Sequence, residues 1–75
     1  MRRIVIYRDP ESDGWLVDVP SLPGCHTQGD SRDEVIANAQ DAIASWIEAA
    51  RAMGWPVPAD DTEAEVLKVD ESAAA

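Results

Sequence analysis

Val19-Pro20-Ser21-Leu22-Pro23-Gly24-Cys25-His26-Thr27-Gln28-Gly29-Asp30-Ser31 packs two prolines, two glycines and a helix-start residue into one short stretch. Proline fixes φ and removes an amide donor, so a strand entering this stretch ends at Pro20. Leu22-Pro23-Gly24 then turns the chain, because proline presets the first corner and glycine tolerates positive φ at the second. Cys25 to Gln28 reads as a short strand, and Ser31 opens a helix. The order that follows is strand, turn, strand, helix.

Upstream, Arg3 to Arg8 (R-I-V-I-Y-R) is short, apolar and β-branched, the composition of a strand. Asp9-Pro10-Glu11-Ser12-Asp13-Gly14 is a turn. Trp15 to Val19 alternates, with Trp15, Val17 and Val19 on one face and Leu16 and Asp18 on the other. Three strands therefore form an antiparallel meander that ends at the helix.

Downstream, Ser31-Arg32-Asp33-Glu34 has the form of a capping box, with two acids at the positive end of the helix dipole. Apolar residues recur at Val35, Ala39, Ala42, Ile43, Trp46, Ile47, Ala50 and Met53, the spacing of one face of an amphipathic helix. Gly54 stops it, and Pro56 and Pro58 prevent its continuation. Glu63 to Val69 (E-A-E-V-L-K-V) is ambiguous between strand and helix. Its clustered Val66, Leu67 and Val69 favour a fourth strand after a crossover helix. The last residues, 71–75, read as a frayed tail.

The chain has 75 residues and a formal net charge of −9, from six basic and fifteen acidic side chains. A domain this small buries only about 60% of the surface its unfolded chain exposes, which makes self-association an expectation. The charge argues against phosphate-rich partners such as nucleic acid and against an anionic membrane, and suits a basic protein partner. The single Cys25 has no internal disulfide partner, which points to a reducing cytoplasm. No run approaches the roughly 18 apolar residues of a membrane span, and no secretory leader is evident.

No catalytic, cofactor-binding or metal-ligating set emerges. Cys25 and His26 are neighbours on a strand and point to opposite faces, so they do not form a nucleophile–base pair. One cysteine and one histidine fall short of a zinc site. Asp9, Glu11 and Asp13 lack the glycine and glutamate spacing of a calcium loop. Asp18 stands apart, as a mid-strand acid beside Leu16: exposed if the sheet face opposite the helix is open, or paired with an Arg or Lys if that face is an interface. Trp15 and Trp46 fit the core. Trp55, in the proline link, is the tryptophan expected to be exposed, and tryptophan is enriched at interface hot spots.

Asp13-Gly14-Trp15-Leu16-Val17, Val19-Pro20-Ser21-Leu22-Pro23-Gly24-Cys25, Gln28-Gly29-Asp30-Ser31, Asp33-Glu34, Ala37-Asn38-Ala39 and Ala42, then Gly54-Trp55-Pro56-Val57-Pro58, closely resemble the HicB-like antitoxin family in order and type. Val35 departs from the family's usual alanine. The resemblance implies an α+β domain over residues 1–70 with a partial RNase H-like β-β-β-α-β fold, three antiparallel strands plus a fourth, and one helix on one face. It implies a non-catalytic antitoxin that binds and occludes a small basic HicA-type ribonuclease toxin and assembles into dimers or tetramers. Family members often carry a C-terminal DNA-binding module. The 17 residues after Pro58, six of them acidic, do not match one, so direct DNA binding is not expected. Nor do Ile4 to Tyr7 and the lone Asp18 supply the clustered carboxylates of a metal-dependent nuclease. Leu16, Asp18, Trp55, Glu63 and Glu65 are the expected partner contacts, with no cofactor. The alternative is a stand-alone oligomeric protein- or ligand-binding module with no toxin.

Overall fold

The computed structural model describes residues 1–74. Three short strands, β1 (Val5–Arg8), β2 (Trp15–Asp18) and β3 (His26–Gly29), precede one helix, α1 (Arg32–Ala52), and a 3-10 turn spans Glu71–Ala74. The sheet is antiparallel in the order β1-β2-β3. Val5 faces Asp18 and Arg8 faces Trp15, while Trp15 faces Gly29 and Asp18 faces His26. This is the α+β meander with a helix on one face that the sequence predicts.

The link between β2 and β3 is two β-turns in series. The Leu22 amide donates to the Val19 carbonyl at 3.1 Å, and the Cys25 amide donates to the Leu22 carbonyl at 3.0 Å. Each turn has proline at its first corner, Pro20 and Pro23, and the second has Gly24 at φ +75°. The Val19 amide closes the pair on the Cys25 carbonyl at 3.0 Å. Because the Cys25 amide is spent in the turn, strand pairing begins at His26, one residue later than the sequence suggests.

These turns also extend the core. A 21-residue helix is about 31 Å long, whereas a four-residue strand covers about 13 Å, so the sheet alone cannot cover α1. Under the sheet, Val17 packs with Val35 and Ala39, flanked by Ile6 and Trp15. Under the double turn, Val19, Leu22 and Cys25 pack with Ala42, Ile43 and Trp46. Leu22, at the shared corner of both turns, is 1% exposed. Trp46 donates its indole N–H to the Pro23 carbonyl at 3.0 Å, so its polar edge is satisfied where its ring packs. Met53, expected on the apolar face, lies beyond both layers and is exposed.

Both helix ends follow local rules. Ser31 Oγ accepts from the Glu34 amide at 3.1 Å, and Glu34 Oε1 accepts from the Asp30 amide at 3.1 Å. The reciprocal bond of the capping box thus lands one residue upstream of the cap. At the other end the Trp55 amide donates to Ala50 and the Gly54 amide to Arg51, with Gly54 at φ +73°. That is a Schellman closure. At the start of α1 the helix lies directly on β3: a Cβ at Gly29 would sit 2.7 Å from the Val35 nitrogen.

One expected element is absent. Among the described residues the sheet has three strands, and Glu63–Val69 forms none. Val66, Leu67 and Val69 are 90%, 73% and 82% exposed. Their composition is that of a strand, but this segment meets no edge to pair with. The tail expected to fray holds the 3-10 turn over Glu71–Ala74, and Ala75 lies outside the described residues.

Candidate interaction surface

Strand alternation and register together build one open face. Residues directly opposite one another across an antiparallel pair project to the same side. Val17 and its partner Ile6 face α1, as does Trp15. The other side therefore carries Val5 and Tyr7 from β1, Leu16 and Asp18 from β2, and His26 and Gln28 from β3. Leu16 and Val5 are half-buried by their neighbours, whereas Tyr7, Asp18, His26 and Gln28 are exposed.

Asp18 is the polar centre of this face. Tyr7 donates its hydroxyl to Asp18 Oδ2 at 3.2 Å, and His26 stands directly across from Asp18 in the ladder. Asp18 thus pairs with a phenol rather than with an arginine or lysine. The hydrogen bond to Asp18, and then the repulsion of its negative charge, raise the Tyr7 pKa. The register thus sets a phenol, a carboxylate and an imidazole side by side on a solvent-exposed sheet face. Cys25 is no nucleophile for this face: it sits in the core beneath the double turn, and burial pushes its thiol pKa up, with Arg2 opposing.

The expected contact residues fall in three places. Leu16 and Asp18 are brought together on the open face. Trp55 is 59% exposed where the chain leaves the Schellman closure. Glu63 and Glu65 are exposed on the segment after Thr62, whose carbonyl accepts from Arg3 Nη1 at 3.1 Å. Tyr7 was not singled out from the sequence, and His26 was weighed there only as a base or zinc ligand beside Cys25. Alternation assigns each a face within its own strand, but only the register sets them beside Asp18.

The far side of the sheet holds a second feature. A groove of about 520 Å³ runs between α1 and the start of the chain, lined by Met1, Arg2, Ile4, Ile36, Ile43 and Ile47 among others. On the sheet side it is bounded by Ile4, just before β1, which has no strand neighbour on its outer side among the described residues. Among the described residues no three His, Cys, Asp or Glu side chains converge to hold a metal ion. No helix among them is long and apolar enough to cross a membrane.

The model of the HicB_like antitoxin of bacterial toxin-antitoxin systems matches residues 3–74. The chain belongs to the HicB-like antitoxin family. It is similar to UPF0150 proteins from several organisms. One from Thermoplasma acidophilum is 36% identical over 63 residues, covering 84% of this chain and 91% of the relative. One from Synechocystis is 39% identical over 56 residues, covering 75% of this chain and 71% of the relative. One from Archaeoglobus fulgidus is 49% identical over 45 residues, covering 60% and 64%. No solved structure matches the chain significantly. The HicB-like match takes in the meander, the double turn, the helix and the segment beyond it, so it extends to every element described above.

Proposed function

We propose that this chain is an antitoxin that binds a small basic ribonuclease toxin of the HicA type and occludes its RNA-binding surface, without catalysis of its own. The family match over residues 3–74 carries the reading. The charge supports it: a chain of net charge −9 competes with RNA for a surface built to attract phosphate. On this reading the three strands and helix are a partial RNase H-like scaffold that presents a docking face instead of a metal centre. The complex acts in the cytoplasm, and the antitoxin itself is a dimer or tetramer.

Leu16 and Asp18 are the proposed centre of the toxin contact, with Trp55, Glu63 and Glu65 as outlying contacts. Leu16 offers apolar area in the middle of the sheet, and Asp18 offers a carboxylate held in place by Tyr7. Fixing that carboxylate before binding lowers the ordering cost of a charge-assisted contact to Arg or Lys.

The test is co-purification of the chain with the product of its neighbouring small gene, followed by an RNA-cleavage assay. A stable complex that silences cleavage, and that Asp18→Lys weakens, is the expected result. A chain that elutes without the neighbour and leaves cleavage unaffected overturns the reading in favour of a stand-alone oligomeric module.

A further inference from the structure

We propose that Glu34 and Asn38 of α1 close the outer edge of β3, so that no strand from another chain can add to that side of the sheet. The register shows what the edge offers. The Val19 amide bonds to the Cys25 carbonyl, and the β2–β3 pairing continues in step, with Val17 opposite Thr27 and Trp15 opposite Gly29. Bonded and non-bonded pairs alternate across an antiparallel ladder, so Thr27 and Gly29 turn their backbone groups toward β2. His26, Gln28 and, just beyond the strand, Asp30 turn theirs outward. An outward row of amides and carbonyls is a template on which a second chain can add a strand.

Two of these groups are already taken, both by side chains of α1. Asn38 donates its side-chain amide to the Gln28 carbonyl at 2.8 Å, and the Asp30 amide donates to Glu34 Oε1 at 3.1 Å. The displaced bond of the capping box thus has a second use. The Gln28 carbonyl and the Asp30 amide are consecutive on the edge, on either side of Gly29. Glu34 and Asn38 are likewise neighbours on one face of the helix, at positions i and i+4. Gly29 lets helix and strand meet there, since a Cβ would lie 2.7 Å from the Val35 nitrogen and 2.9 Å from its Cα. One glycine admits the helix, and two side chains bond the backbone on either side of it.

What this clasp leaves open is short. Among the described residues, the His26 amide and carbonyl and the Gln28 amide are what remains without a partner. Upstream, the Cys25 amide is spent on the Leu22 carbonyl, and Gly24 at φ +75° ends the extended conformation. The open run between turn and clasp is far shorter than the about 5–6 residues of an ordinary strand. β1 differs. Its pairing runs in step with the Asp9 amide on the Gly14 carbonyl, which turns Ile6 and Arg8 outward, and α1 sends no side chain to their backbone. A sheet with two open edges can add copies head to tail without limit, and one closed edge forbids that series of contacts.

Light scattering of the full chain over a range of concentrations tests the clasp, with wild type as the reference whatever its own oligomeric size. Glu34→Ala/Asn38→Ala, with its far-UV circular dichroism unchanged, is expected to grow with concentration to at least about twice the wild-type mass. Adding Gln28→Pro is expected to restore the wild-type mass, because it removes an outward amide without breaking a bond of the ladder. A folded double variant that keeps the wild-type mass overturns the proposal. So does growth that Gln28→Pro leaves in place, since lost stability rather than an open edge then drives it. If the double variant unfolds, Asn38→Ala alone, which spares both capping bonds, is held to the same outcomes. No toxin enters the experiment, so the antitoxin reading stands or falls apart from it.

Discussion

Leu22 and Leu67 are the same side chain in opposite circumstances, 1% and 73% exposed. The difference lies in what surrounds each along the chain. Leu22 is flanked by Pro20, Pro23 and Gly24, which close two turns through hydrogen bonds spanning three residues, and those turns press it onto Ile43 and Trp46. Leu67 has apolar neighbours but no turn residue, no cap and no bonded partner. Apolar residues mark what must be covered, whereas local backbone chemistry decides whether the chain can cover it by itself.

The comparison breaks most sharply at Leu22. Leu22→Ala opens a cavity at the corner of both turns and is expected to cost about 3 kcal/mol, lowering the melting temperature by roughly 15 °C. Leu67→Ala, at concentrations dilute enough for monomer, is expected to leave the melting temperature unchanged. Equal losses for the two leucines in dilute solution would refute the distinction.

Gly29→Ala probes the seam between the meander and α1. Its Cβ meets backbone rather than a movable side chain, so helix and strand must separate, at about 1–3 kcal/mol by chemical denaturation. Ser31→Ala removes the bond to the Glu34 amide and is expected to cost about 1 kcal/mol. Both tests fall on the body, and neither should alter the arm.

The smallest effect belongs to the open face. Spectrophotometric titration of Tyr7, the single tyrosine, is expected to show a midpoint above the ordinary value of about 10, and Asp18→Asn is expected to lower it. A raised pKa means that the folded chain holds this proton more tightly than the unfolded chain does. Any stability linked to it is present below pH 10 and is lost as pH rises through the folded value. A midpoint indifferent to Asp18 would show that the hydrogen bond does not hold in solution.

Much of the body was legible in the sequence because its determinants are local. Proline at the turn corners, Gly24 and Gly54 where φ is positive, the Ser31 cap and the three-and-four spacing on α1 each act within a few residues. Trp55 also fell where expected, since a residue between a helix stop and a proline has little to pack against. The face of Asp18 was readable from alternation, but its company was not. Tyr7 is eleven residues away and His26 eight, and only the pairing register brings them to one place.

The arm marks the limit. Glu63–Val69 has the composition of a strand, yet a strand is a relation to an edge and not a property of seven residues. The sequence by itself determined the turns, the caps, the buried faces and the acidic balance, because those follow from backbone preferences and side-chain chemistry at short range. Only the tertiary structure decided that β1 keeps a free edge, that a groove opens beside Ile4 and that the arm departs from both. Such long-range pairings depend on where chain ends come to rest after the core has formed, and short-range preferences carry no record of that.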